Sequence, residues 1–309
     1  MAGVVITDVG PRDGLQSQQA PVSTEGKRTL IEALWAAGLP AIEATSFVSP
    51  KAVPQMADAD DLLPSLRVPP GRALSALVPN RRGLERALRA GCREVAVVLS
   101  ATETMNQRNI RMGLAQALDE CTATLLEARS HGLATRAYVA VAFACPFEGR
   151  TPAPRVRELA QAMADAGAGE LVIADTIGAA SPVDVREVLD ELLPVVPVER
   201  VGLHFHDTRG LALANAWQAL GMGVRRFDAS IGGLGGCPFA PGAAGNLATE
   251  DLAVLCTQTG HATGLDPALL VRAVDVASAL VGYPVGGRAM PWLRRSAQHA
   301  SAEKQEEMK

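Results

Sequence analysis

The sequence predicts an α/β protein, a (β/α)8 TIM barrel with an extra C-terminal helix and tail. Three observations carry that expectation. Short β-branched or apolar runs alternate with longer helical patterns eight times along the chain. No Gly-x-Gly-x-x-Gly follows the first run, so an open dinucleotide-binding sheet has no anchor. No linker-like stretch divides the 309 residues, which reads as one domain over 1–300 and a polar, frayed tail over 301–309.

The elements follow in order. Strand Val4–Asp8 leads to a helix over Thr24–Ala37, entered at Ser23-Thr24-Glu25 and stopped at Gly38. Strand Ala41–Thr45 precedes a helical pattern over Pro54–Leu63. Strand Ala73–Val78 precedes Arg81–Ala90, which stops at Gly91. Strand Glu94–Leu99 precedes the long pattern Gly113–His131, closed by Gly132. Strand Arg136–Ala142 precedes Val156–Ala166 and its stop at Gly167. Strand Glu170–Ala174 precedes Pro182–Leu193, entered at Ser181-Pro182. Strand Val201–His206 precedes Ala212–Met222, with Gly221 as its stop. Strand Arg226–Ala229 precedes Ala248–Thr259, entered at Thr249-Glu250-Asp251. Pro267–Leu280 reads as the extra helix and Gly286–Trp292 as an extended tail.

Composition bounds the function. The chain is 48% hydrophobic and 20% charged, enough to bury a sizeable core. A net charge of −4 argues against a nucleic-acid surface, while leaving room for a local basic patch. The five cysteines form no C-x-x-C pair, so neither a disulfide framework nor a structural zinc site is expected. The residues before the first strand carry no basic n-region, so no signal or transit peptide is expected, and the apolar run Ala137–Phe147 is too short to span a bilayer. A cytoplasmic protein with no membrane partner is expected.

The barrel assignment gathers chemistry at one mouth, because catalytic groups of this fold sit at the C-terminal ends of its strands. Val201-Gly-Leu-His-Phe-His-Asp207 is the densest segment. His204 and His206 lie two apart on a strand and so share a face. Arg12 and Asp13 follow the first strand, Glu43 closes the second and Asp175 the sixth, while Cys237 and Asn246 follow the eighth. Asp13, His204 and His206 offer one carboxylate and two imidazoles, and Asn246 can add an amide oxygen. That donor set suits Mg²⁺ or Mn²⁺, with Zn²⁺, Co²⁺ and Fe²⁺ also compatible. Arg12 is suited to oppose a developing oxyanion, with Glu43 and Asp175 as carboxylates that could orient it. Cys237 stands in Gly232-Gly-Leu-Gly-Gly-Cys-Pro-Phe239, a loop able to carry a thiol over the site.

Together these residues resemble the 3-hydroxy-3-methylglutaryl-CoA lyases, members of a wider divalent-metal TIM-barrel lyase and synthase group. The matching segments run in order along nearly the whole chain. They are Val9-Gly-Pro-Arg-Asp-Gly-Leu-Gln16, Ile42-Glu-Ala-Thr-Ser-Phe-Val-Ser-Pro-Lys51, Val53-Pro-Gln-Met-Ala-Asp58 and Cys145-Pro-Phe-Glu-Gly149. Asp175-Thr-Ile-Gly178, His204-Phe-His-Asp-Thr208, Gly233-Leu-Gly-Gly-Cys-Pro-Phe239 and Gly245-Asn-Leu-Ala-Thr-Glu-Asp251 complete the set.

The resemblance implies metal-dependent retro-Claisen cleavage of 3-hydroxy-3-methylglutaryl-CoA to acetyl-CoA and acetoacetate, by a homodimer. It gives metal-ligand roles to Asp13, His204, His206 and Asn246. Arg12 receives the thioester oxygen of the enolate, Cys237 the proton donation, and Glu43 and Asp175 the polar surround. Gln16 and Arg209 join Arg12 as substrate-binding residues. The chain departs from the animal members at Arg209, where tyrosine is typical, at Gln19, where a basic residue is typical, and at Val172, where serine is typical. These changes are expected to alter the substrate-facing wall. A related 3-hydroxy-acyl-CoA such as citramalyl-CoA is therefore an alternative substrate, and a Claisen-condensing synthase an alternative activity.

Overall fold

The computed structural model describes the backbone of residues 3–236 and 245–307, with side chains as far as Gln298. Eight parallel strands close into a barrel: β1 (Val5–Asp8), β2 (Ala41–Ser46), β3 (Ala73–Leu77), β4 (Glu94–Ser100), β5 (Ala134–Ala140), β6 (Glu170–Asp175), β7 (Val201–Phe205) and β8 (Arg226–Ala229). Each strand pairs with the next in sequence, and β8 closes on β1 with Val5 opposite Arg226.

The outer layer is helical: α1 (Thr24–Ala36), α2 (Ala59–Ser65), α3 (Arg81–Arg89), α4 (Glu103–Ile110), α5 (Leu114–Ser130), α6 (Ala153–Asp165), α7 (Pro182–Leu192), α8 (Ala212–Gly221) and α9 (Thr249–Gln258). Two helices follow the barrel, α10 (Pro267–Val281) and α11 (Met290–Glu307). Ser23 caps α1 by accepting from Gly26 N at 3.1 Å, and Ser181 forms a reciprocal capping box with Asp184. The main apolar core lies between the strands and this helical shell, with Ile6, Leu34, Ile42, Val95, Leu171 and Leu203 fully buried.

The barrel lumen has a different composition. It contains a small apolar cluster of Ala96, Tyr138 and Val172, with Val98 packed against it. The rest is a buried polar chain. Arg136 donates to Glu170 Oε1 at 2.8 Å, Asp228 Oδ1 at 2.7 Å and Tyr138 Oη at 2.9 Å. Tyr138 Oη in turn donates to Asp228 Oδ2 at 2.7 Å and lies 3.2 Å from Glu43 Oε2. Burying this many polar groups is tolerable because most of them satisfy one another, the exception being Arg136 Nε. Gly202 makes room for them, since a Cβ there would stand 2.7 Å from Glu170 Oε1.

Several local expectations are corrected. The pattern over Pro54–Leu63 splits into a 3-10 turn, Pro54–Met56, and α2. Strand β5 stops at Ala140 because Val141 takes a φ of 49°. That is a costly conformation for a β-branched residue, and two side chains hold it. Val141 N donates to Thr176 Oγ1 at 2.8 Å, and Val141 O accepts from Thr151 Oγ1 at 2.6 Å. Gly221 lies within α8, and Gly223 makes the left-handed stop instead. Thr249 does not cap α9; its hydroxyl donates to Asp8 Oδ2 at 2.7 Å.

The stretch Gly286–Trp292 is not extended throughout, because α11 begins at Met290. Asp251 starts that helix by accepting from the backbone of Arg288 and Ala289, each at 2.8 Å. Beside it, Glu250 accepts from Gly287 N at 2.6 Å and from Gly232 N at 3.1 Å. The chain beyond α10 is thereby tied to the base of the glycine-rich loop. Among the described residues no helix is long and apolar enough to cross a membrane.

Candidate active site

The strand ends bring the expected donors together. Just after β1, the chain turns through a π-helical segment, Gly10–Gly14, started by Pro11 and buried except at Asp13. The turn carries Arg12 and Asp13 across the mouth to β7. There His204 lies in the strand and His206 just beyond it, with ring centroids 5.2 Å apart. Ligand atoms of Asp13, His204 and His206 all fall within 4.8 Å of one another.

Asn246 completes the cluster. It forms an isolated bridge with His206, and its Nδ2 donates to Asp13 Oδ2 at 2.8 Å and to Leu234 O at 2.9 Å. Its Oδ1 is buried and has no partner, and so is His206 Nδ1. Buried unpaired acceptors are costly, so two of them beside a carboxylate and a second imidazole fit a cation-binding site. The donor set of oxygens and imidazole nitrogens is one that divalent cations accept.

Glycine is required next to Asn246. A Cβ on Gly235, whose φ is 134°, would stand 2.3 Å from Asn246 Nδ2. A Cβ on Gly245 would overlap Gly233 O at 1.8 Å. The two sides of the glycine-rich loop therefore meet backbone to backbone, and that contact places the carboxamide.

Electrostatics prepare the donors. Burial pushes His206 down to about 4, aided by the nearby charges of His204 and Arg12, so its ring is neutral. Burial also pulls His204 down, but the hydrogen bond and charge of Asp228 outweigh it and raise the group. Asp13 is raised by burial, but Arg12 and the two histidines outweigh that and lower it. Arg12 is only 8% exposed. Its Nε pairs with Glu43, and its Nη1 donates to Asp13 Oδ1 at 2.6 Å. Burial opposes its charge, but Glu43 and Asp13 overcome that and raise its pKa.

Other expected residues are placed differently. Glu43 orients Arg12, but Asp175 makes no hydrogen bond to it. The Asp175 carboxylate accepts from Ala179 N at 2.8 Å and Ala180 N at 3.0 Å, closing the turn after β6. Burial still raises it to about 6. Arg209 is exposed at the turn after β7 and donates to Gly178 O at 3.3 Å. Gln16 is half-buried just after the π-helical turn. Val172 is fully buried beside Tyr138 in the lumen, so it does not face a substrate, and Gln19 is exposed. Cys237 lies outside the described residues.

Sequence reasoning missed Asp228, Tyr138 and Arg136. Asp228 Oδ2 lies 3.3 Å from His204 Nδ1, which leaves Nε2 for a cation. Burial would raise Asp228, but Arg136 and His204 lower it, so it stays ionised. The available signal was charge at alternate positions of strands that pack on both faces: Arg136 and Tyr138 on β5, Asp228 on β8.

Comparison with known proteins supports the same architecture. The HMGL-like family model matches residues 3–277. The chain is 43% identical over 293 residues to hydroxymethylglutaryl-CoA lyase YngG of Bacillus subtilis, covering 95% of this chain and 98% of the relative. It is also 43% identical over 296 residues to the (R)-citramalyl-CoA lyase of Chloroflexus aurantiacus, covering 92% and 93%. A solved HMG-CoA lyase from Acinetobacter baumannii, in complex with coenzyme A and 3-methylmalate, superposes with a TM-score of 0.88. It shares 39% identity and covers 93% of each chain.

Proposed function

The chain belongs to the HMGL-like family, and from that premise we propose that it cleaves 3-hydroxy-3-methylglutaryl-CoA to acetyl-CoA and acetoacetate. It is a carbon–carbon lyase. The observation that carries the reading is the meeting of Asp13, His204 and His206 beside the buried, unpartnered Oδ1 of Asn246 and next to Arg12.

Those four residues would hold a divalent cation, with Mg²⁺ or Mn²⁺ our assignment. When bound, such a cation supplies Lewis acidity to the substrate's hydroxyl and carboxylate oxygens. Retro-Claisen cleavage then asks three things of the chain. The C3 hydroxyl must lose its proton as the C2–C3 bond breaks. The electron pair released onto the thioester must be opposed by positive charge. The resulting acetyl-CoA enolate must gain a proton at carbon.

Arg12 answers the second need. Glu43 and Asp13 occupy its Nε and Nη1, which fixes the guanidinium and leaves Nη2 for the enolate oxygen. Asp175, raised to about 6, lies in the range where a carboxyl exchanges protons near neutral pH. Cys237 is our candidate for the final proton, and Gln16 and Arg209 for substrate contacts. We also propose a homodimer, for which the exposed apolar side chains Val183 and Trp217 on α7 and α8 offer surface.

A second reading keeps the chemistry and changes the acid portion. The exposed guanidinium of Arg209 at the mouth, together with the likeness to a citramalyl-CoA lyase, favours testing that substrate in parallel. The experiment is mass-spectrometric detection of acetyl-CoA from 3-hydroxy-3-methylglutaryl-CoA, with Mn²⁺ or Mg²⁺ present. Rapid release supports the leading reading. Faster release from citramalyl-CoA reassigns the substrate, and no release from either rejects both.

A further inference from the structure

The opposite mouth of the barrel, at the N-terminal ends of the strands, holds a second polar cavity of about 630 Å³. Arg129, Arg136, Arg200 and Arg226 line it, against Glu94 and Glu170. Arg136 also pairs with Asp228 at 2.7 Å, so four guanidinium groups meet three carboxylates and one positive charge is left over. The catalytic chemistry described above uses none of this lining directly.

The local pairing does not absorb that charge. Glu170 serves two arginines at once, with Arg136 Nη2 at 2.8 Å and Arg226 Nε at 3.0 Å. Arg226 Nε is not aligned to donate to it and has no hydrogen-bond partner. Arg200 is committed to the backbone carbonyls of Ala168 and Gly169. The guanidinium of Arg129 forms no ion pair among the described residues. Arg136 is only 2% exposed, and its Nε is buried without an acceptor. Glu94 makes no hydrogen bond through its side chain, and burial raises its pKa, which weakens it further as a counter-charge.

A buried guanidinium N–H without an acceptor is costly, and the groups that satisfy it best are carboxylate and phosphate oxygens. We propose that this lower mouth binds a small doubly charged oxyanion, held by Arg129, Arg136 and Arg226. The cavity is far larger than a phosphate ion and also admits a short dicarboxylate. The proposal is independent of the reaction assigned to the upper mouth.

The test is isothermal titration of the metal-loaded, full-length protein with inorganic phosphate, and in a second arm with malonate, at fixed ionic strength. Arg136 is left intact because it also holds Asp228. Arg129 is exposed near the end of α5, so Arg129→Ala is the variant least able to disturb folding; Arg226→Ala is the second. His206→Ala takes one ligand from the upper-site cation and so weakens any anion bound there. The expected result is a saturable event that persists in His206→Ala and weakens at least about tenfold in Arg129→Ala and Arg226→Ala. The arm with the tighter binding distinguishes phosphate from dicarboxylate. No saturable event in either arm overturns the proposal. So does binding that is lost altogether in His206→Ala, or that is unchanged in both arginine variants.

Discussion

His204 Nδ1 stands 3.3 Å from Asp228 Oδ2, and the two residues are register partners on adjacent parallel strands. The carboxylate selects the tautomer and fixes the ring plane. It is itself held by Arg136 and Tyr138. The outer support of the donor cluster is therefore built in the lumen, below the mouth.

Asp228→Asn should weaken divalent-metal binding by roughly 10- to 100-fold. Titration with Mn²⁺ followed by electron paramagnetic resonance would measure it, with thermal unfolding of the metal-free protein as a control. Unchanged affinity would remove Asp228 from the positioning of His204.

Arg12→Gln should lower turnover by roughly 10²- to 10³-fold, because a neutral amide opposes the enolate oxygen poorly. Metal binding should persist, since Asp13 keeps its contact with Asn246. Steady-state kinetics beside metal titration separates the two effects. Equal losses in both would mean that Arg12 acts chiefly by holding Asp13.

Gly235→Ala should displace the Asn246 carboxamide, which a Cβ would meet at 2.3 Å. The expected outcome is weaker metal affinity and at least about tenfold lower activity, with little change in barrel stability. A variant with native metal affinity would show that Asn246 does not need its present position.

Cys237→Ser should leave metal affinity and thermal stability unchanged and lose most turnover, because a hydroxyl is a far weaker proton donor than a thiol. Near-native turnover would take the thiol out of the reaction.

The pH dependence of stability should show the buried carboxyl of Asp8. Burial raises it to about 7, against hydrogen bonds from Thr249 and Gly10 that act to lower it. The folded state therefore binds this proton more tightly than the unfolded state. The stabilisation is complete below the unfolded carboxyl range and is lost as pH rises from about 4 to about 7. Asp8→Asn keeps the shape and removes the titration. Denaturant unfolding across that window should show native stability falling relative to the variant; parallel curves would refute the assignment.

Strand positions were legible because a parallel barrel buries both faces of its strands, and Arg226–Ala229 is recovered to the residue. The donors Asp13, His204, His206 and Asn246 were legible because strand ends place them together. Helix α4 was not, since Glu103–Ile110 is mostly polar and gives no apolar stripe. The start of α11 was hidden because its cap, Asp251, lies 39 residues upstream of Met290. Asp228 was hidden for a similar reason: in sequence it is one acid in a short strand. Its meaning arises only when β7 and β8 align.

Glu250 holds Gly232 with one carboxylate oxygen and Gly287 with the other. A premature stop after Pro284 would leave Asp13, His204, His206 and Asn246 in the chain, yet it would release one side of that grip and remove Arg288, which pairs with Asp207 at 3.4 Å. Gly286 would also no longer donate to Gly232 O. Truncations or frameshifts beyond Pro284 should therefore disturb the active site as well as the packing of Met290 and Leu293, and a fusion partner joined there bears on the same anchorage.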